Sequence, residues 1–105
     1  MSRCRITVIK RSLNPELAEE FIKSKVGPCE IFKEGQTFET QFSQKPEGFC
    51  DWAWNDIYKT VVTIARGGNF SKDLFASWMN DDNSMITCCT DGIRPVIFKV
   101  ERIED

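Results

Sequence analysis

The sequence predicts an α+β fold, with residues 1–105 forming a single domain in which two main helices pack on a small, mainly antiparallel sheet. A chain of 105 residues has the length of one domain. Several short segments alternate apolar and polar residues with the period of a strand, and two longer segments repeat apolar residues with the period of a helix. The predicted order is β-α-β-β-α-β-β, and partial closure of the sheet into a barrel stays open.

The first half of the chain is predicted to contain a strand, a helix and two short strands. Residues 3–10 alternate with period two. Asn14-Pro15-Glu16 has the residues of a helix start, with Asn as the cap, Pro at the first helical position and an acid in the first turn. Residues 31–42 indicate two extended pieces around a turn at residues 33–36. The first helix should bury an apolar stripe formed by Leu17, Ala18, Phe21 and Ile22.

The second half contains the strongest helix signal, from about residue 51 to residue 66. Gly67-Gly68 supplies its stop. Strands are predicted at residues 85–89 and 95–103, joined by a turn at residues 90–92. Trp52 falls off the helical stripe and is expected to line a pocket or an interface. That stripe consists of Trp54, Ile57, Tyr58, Val61, Val62 and Ala65.

The composition excludes several classes of function. The net charge is −2, from 14 basic and 16 acidic residues that are interspersed, so neither a nucleic-acid patch nor a polybasic membrane anchor is expected. No apolar run approaches the roughly 18 residues of a spanning helix. The start of the chain lacks the pattern of a secretory signal, which predicts a cytoplasmic protein. The apolar cluster of Leu74, Phe75, Trp78 and Met79 either packs on the sheet or contacts a partner in a homo-oligomer.

The cysteine content is the most informative chemical feature of the sequence. The chain has five Cys and no His, and an odd number of thiols in a cytoplasmic protein argues against a disulfide framework. Without His, a metal site must use thiolates, carboxylates, backbone or water. The thiols are therefore either inert packing groups or groups used for metal or redox chemistry.

The first three cysteines differ in their settings. Cys4 alternates with polar neighbours in a strand, so packing is expected. Cys29 lies in a loop after the first helix, and both interpretations apply to it. Cys50 precedes the long helix, where the helix dipole and free N–H groups favour a thiolate. Asp51 opposes that effect and is itself a candidate N-cap.

The adjacent pair Cys88 and Cys89 must point to opposite faces of a regular strand. One of the two is expected to face the core together with Ile86, and the other faces away. The pair therefore predicts one packing thiol and one thiol with a chemical role.

Several stretches resemble a family of uncharacterised prokaryotic proteins of about 100 residues, and the resemblance covers most of the chain. The marks are a Cys before a G-x-x-F turn (GQTF here), PEGFC, ARGGNF and a closing C-x-D-G…VIFKVERI segment. The three spaced cysteines of the family fall on Cys29, Cys50 and Cys89. Many members have Pro after the first and third cysteines, where this chain has Glu30 and Thr90. The family has no established activity, so the resemblance implies none.

Three thiols at three junctions between loops and regular elements predict one metal site, holding zinc or an iron–sulfur cluster, in a binding or accessory protein. Cys29, Cys50 and Cys89 are the predicted ligands. A closed site would take its fourth ligand from Cys88, Asp91 or another chain, whereas a site of three thiolates would keep one position open for a cluster or a catalytic metal. An alternative is a thiol-dependent enzyme or redox protein that uses Cys50, assisted by Asp51 or Asp91. A third interpretation is a structural or interaction module in which all the cysteines are packing groups.

Overall fold

The computed structural model describes residues 3–72 and 75–103 and confirms the α+β prediction. The four described strands form one antiparallel sheet in the order β2-β1-β4-β3. The elements are β1 (Arg3–Arg11), α1 (Pro15–Phe21), β2 (Thr37–Glu39), α2 (Asp51–Ala65), a 3₁₀ turn (Phe70–Lys72), β3 (Ser84–Cys88) and β4 (Val96–Ile103).

Two short strands were predicted in residues 31–42, and the prediction of the first one is wrong. The described sheet therefore has one strand fewer than expected. Phe32 leaves the strand pattern because its side chain is buried in the core. The chain then turns at the edge of β1, where Gly35 N donates to Val8 O (2.8 Å) and Val8 N donates to Gln36 O (2.8 Å). The regular ladder therefore begins only at Thr37, which is opposite Thr7.

The two central strands supply one wall of the hydrophobic core. Cys4 lies on the core face of β1 and is fully buried, as predicted. Its thiol donates a weak hydrogen bond to Val61 O (3.7 Å), and burial raises the pKa of this thiol above its ordinary value. The remaining core residues of these strands are Ile6, Val8, Val96, Phe98 and Val100.

Helix α2 covers this face of the sheet and contacts β1, β3 and β4. The predicted stripe is correct at Ile57, Val61 and Ala65, but Tyr58 is exposed and Trp54 is only half-buried. The small side chain of Ala53 takes a core position instead. After Ala65 the helix ends at Gly67, whose φ of +87° is a left-handed conformation that favours glycine.

Helix α1 is short and buries little of its predicted apolar stripe. Ala18 is buried, whereas Leu17 and Phe21 are exposed. The Asn14 side chain does not cap the helix. Its Nδ2 instead donates to Gly92 O (2.7 Å), and Asn14 N donates to Ile93 O (2.7 Å). The start of α1 is thereby tied to the loop that joins β3 and β4.

In the described part of the apolar cluster predicted near residues 74–79, the rings of Phe75 and Trp78 contact each other, with centroids 6.4 Å apart. Trp78 is 67% exposed, Phe75 and Met79 are half-buried, and Leu74 lies outside the described residues. Among the helices in the described ranges, none is both long enough and apolar enough to cross a bilayer.

Candidate functional site

Three separate segments meet at the N-terminal end of α2 and enclose a pocket of about 320 Å³. The three predicted site cysteines, one from each segment, all line this pocket. Cys29 comes from the loop after α1, Cys50 is the residue before α2, and Cys89 is the residue after β3. The rest of the lining is mainly apolar and comprises Ile31, Phe32, Trp52, Ala53, Asp91, Arg94 and Val96.

Cys50 is the N-cap residue of α2 and is half-buried. Gly48, with a φ of +81°, allows the tight turn in which Phe49 N donates to Pro46 O (3.3 Å). Cys50 then takes an extended conformation, and its carbonyl accepts the first helical hydrogen bond, from Trp54 N (2.9 Å). The Cys50 side chain makes no capping hydrogen bond to this helix end. The positive end of the helix therefore lies beside the Cys50 thiol.

Asp51, predicted to assist Cys50, points away from the pocket. Its side chain is 89% exposed and forms an ion pair with Lys45. Trp52, by contrast, lines the pocket, in agreement with the position predicted from its place off the helical stripe.

Cys89 is the most enclosed of the three thiols, with 7% exposure. Cys89 N donates to Val96 O (3.1 Å), and Val96 N donates to the Cys89 sulfur (3.3 Å). An N–H group directed at sulfur is common at cysteines that ligate iron–sulfur clusters. The Cys89 sulfur is therefore held in the pocket by a backbone hydrogen bond.

Cys88 and Cys89 point in opposite directions, as predicted, but the expectation that the core-facing thiol joins Ile86 is wrong. Ile86 and Cys88 are both exposed on the face that α2 does not cover. Met85, opposite Val100, faces the core instead. Cys88 therefore lies away from the pocket for which it was predicted as a fourth ligand.

The loop of residues 89–95 is held in place by two carboxylates. Asp56, on α2, accepts hydrogen bonds from Thr90 N (2.8 Å) and Thr90 Oγ1 (2.9 Å). Asp91 Oδ1 accepts from Ile93 N (2.9 Å) and Arg94 N (3.0 Å), and Oδ2 accepts from Arg94 Nε (3.3 Å). These hydrogen bonds, above all the one from the Arg94 backbone, hold the pKa of Asp91 below its ordinary value. Asp91 is therefore an ionised carboxylate whose two oxygens are already in use.

Cys29 lies in an irregular loop that is fixed from both sides. Its carbonyl accepts a hydrogen bond from Arg11 Nη1 (2.8 Å). Three residues later, Phe32 inserts into an aromatic cluster, with ring centroids 5.9 Å from Phe38, 5.0 Å from Phe49 and 5.1 Å from Phe98. The Cys29 side chain, half-buried, therefore stays on the pocket side of a well-anchored segment.

The thiols share a pocket without forming a closed cluster. Over residues 3–72 and 75–103, no three Cys, His, Asp or Glu side chains are grouped in a way that could hold a metal ion. All five cysteines are free thiols. A larger groove of about 540 Å³ lies beside α1, but its lining contains no cysteine.

Two polar residues of the site were missed by sequence reasoning. Arg94 forms an ion pair with Asp91 and also lines the pocket, a position that no local sequence pattern indicated. Asp56 gave no signal because its partner, Thr90, is 34 residues away in the chain. Comparison with protein-family models, with curated proteins and with solved structures gives no match for this chain.

Proposed function

We propose that Cys29, Cys50 and Cys89 bind one soft metal ion, as zinc or as part of an iron–sulfur cluster, and that the chain is a metal-binding or accessory protein. The observation that carries the proposal is that three cysteines from three separate segments line one pocket. Thiolates are the ligands that zinc and iron–sulfur clusters prefer. A histidine-free chain has few other soft ligands to offer.

The charge balance of the pocket supports a cation. Three thiolates in a half-enclosed, mainly apolar pocket would be costly without one. Two features of the pocket suit thiolate ligands of a bound metal. They are the Val96 N–H directed at the Cys89 sulfur and the N-terminal end of α2 beside Cys50. Metal binding should therefore release protons and depend on pH.

Binding requires the thiols to draw together, since zinc–sulfur bonds are about 2.3 Å long. Within the described part of the chain, the sulfurs of Cys29 and Cys50 make no hydrogen bond that would hold them back. Cys29 lies in a loop and Cys50 at a helix cap, so we expect rotation of these two side chains to close the site around a metal. The enclosed Cys89 is the natural fixed point of the site.

The fourth coordination position of the metal is expected to stay open to an external ligand. Cys88 faces away, and the Asp91 oxygens already accept three hydrogen bonds from the residues after it. Three protein ligands with one open position are typical of catalytic zinc sites, whereas structural sites have four. Asp91 lines the pocket and is the candidate for a fourth ligand that the chain itself offers there.

The volume of the pocket favours a second candidate function, a thiol-dependent enzyme or redox protein that uses Cys50. A space of about 320 Å³ exceeds the needs of a single ion and falls at the small end of organic ligand sites. Cys50 lies at the N-terminal end of α2, a position that many nucleophilic cysteines occupy. On metal-free protein, iodoacetamide should then modify Cys50 faster than the exposed Cys88 at neutral pH. Equal or slower modification of Cys50 would rule out an activated thiol.

The metal proposal is tested by elemental analysis of protein made without a polyhistidine tag and purified without oxygen. We expect close to one zinc per chain, or iron with matching sulfide. Each of three single variants should lose most of the bound metal: Cys29→Ser, Cys50→Ser and Cys89→Ser. Cys88→Ser is the matched control, because it removes the neighbouring thiol on the opposite face and should keep the metal. Unchanged metal content in the three site variants would contradict the proposal.

A further inference from the structure

We propose that Arg94 makes this pocket a binding site for a small carboxylate with an apolar body. This inference shares its location with the proposed function but needs no metal to be present. It is carried by three observations, which are the free donors of Arg94, the N-terminal end of α2 and the apolar walls that line the same space.

Arg94 is held by a fixed acceptor and keeps its terminal donors free. Its Nε donates to Asp91 Oδ2 (3.3 Å), and Asp91 is itself locked by two backbone N–H groups. Among the described residues, neither Arg94 Nη atom donates a hydrogen bond, and the side-chain interaction of Arg94 is the one from Nε to Asp91. A guanidinium oriented through one edge and open at its terminal nitrogens suits a planar carboxylate.

The electrostatic balance favours a single anionic group. Asp91 formally neutralises Arg94, so this pair contributes no net charge to the pocket. The N-terminal end of α2, whose first-turn residues Trp52 and Ala53 line the pocket, adds a partial positive charge. One carboxylate would therefore meet a favourable potential at this site.

The residues that line the pocket indicate which kind of molecule carries the carboxylate. Most of the lining is apolar, and Trp52 is 66% exposed, which leaves a large aromatic face uncovered at this position. A fully hydrated inorganic anion gains nothing from such walls, whereas a small aromatic or aliphatic acid buries its body against them. The volume of about 320 Å³ limits the ligand to a small molecule.

The test is an NMR titration of metal-free, reduced, ¹⁵N-labelled protein with benzoate, with its neutral isostere benzamide and with inorganic phosphate. Benzoate should cause saturable shifts at the amides of Trp52, Ala53 and Arg94. Benzamide should bind at least about tenfold more weakly, because it lacks the charge that pairs with the guanidinium. Arg94→Gln should weaken the binding of benzoate by about the same factor and leave the affinity for benzamide unchanged. Arg66→Gln, at the far end of α2, is the matched control and should bind benzoate like the wild type.

Equal affinity for benzoate and benzamide, or unchanged benzoate binding by Arg94→Gln, would overturn the inference. Saturable binding of phosphate without binding of benzoate would overturn the assignment to a carboxylate. The outcome is separate from the metal proposal, because Arg94→Gln keeps all three thiols and should retain its metal. If the protein binds benzoate but never binds metal, this inference is supported and the proposed metal-binding function is contradicted.

Discussion

Phe32 is the residue through which the Cys29 segment is joined to the core, so Phe32→Ala is expected to be strongly destabilising. The side chain is 1% exposed and packs against three other rings at 5.0 to 5.9 Å. Its removal loses the transfer free energy of a buried aromatic and leaves a cavity, which together cost about 3–5 kcal/mol. This is a large part of the roughly 5–15 kcal/mol that stabilises an ordinary domain.

Urea unfolding followed by far-UV circular dichroism measures this change in the free energy of unfolding. The control is Phe21→Ala, since Phe21 is 70% exposed and its removal should change stability by less than about 0.5 kcal/mol. A loss below about 1 kcal/mol for Phe32→Ala would refute the reasoning, because full burial cannot cost so little. The segment that carries Cys29 would then not be docked on the core, and the pocket would lose one of its walls.

Three further predictions concern charged and buried groups. Arg102 donates from Nε to Ile64 O (3.0 Å) and from Nη2 to Gly68 O (2.8 Å). Arg102→Ala should therefore lower the free energy of unfolding, measured by urea titration, by about 2–4 kcal/mol. A change below about 1 kcal/mol would contradict this prediction. The pKa of Asp91 is lowered in the native state, so its stabilisation is present at neutral pH and is lost as the pH falls through the ordinary value of 3.8 and then the lower native one. The stability difference between wild type and Asp91→Asn should therefore shrink toward acid, and a constant difference would argue against the effect. Burial raises the pKa of Cys4, so the free energy of unfolding should fall as the pH rises above 9.0, the ordinary value for a thiol. The fall should be smaller in Cys4→Ala, which lacks this thiol. An equal dependence of stability on alkaline pH in the two proteins would contradict the prediction.

Regular periodicity allowed much of the fold to be predicted. The alternation around Cys4 and the helical repeat after Cys50 each reflect burial on one face of one element, which a local pattern can reveal. Phe32 was misassigned because its burial depends on rings contributed by distant parts of the chain. A loop residue that fills a core position gives no periodic signal.

The candidate site was predictable only in part, for a similar reason. Alternation shows that Cys88 and Cys89 differ in face, but a shift of one residue exchanges the faces, so periodicity alone did not decide between them. The resemblance to the uncharacterised family favoured Cys89, and the structure places that thiol in the pocket with Cys29 and Cys50. The pocket position of Arg94 depends on how its loop folds back on α2, which no local pattern encodes.

The most direct test of the three-thiolate site is zinc-edge X-ray absorption on reduced protein loaded with one equivalent of zinc and then desalted. The site predicts three sulfur scatterers at about 2.3 Å together with one lighter atom in the open position. Cys89→Ser should reduce the sulfur count to two, and Cys88→Ser should leave it at three. Zinc surrounded only by oxygen or nitrogen, a sulfur count unchanged in Cys89→Ser, or no zinc retained after desalting would contradict a shared site of Cys29, Cys50 and Cys89.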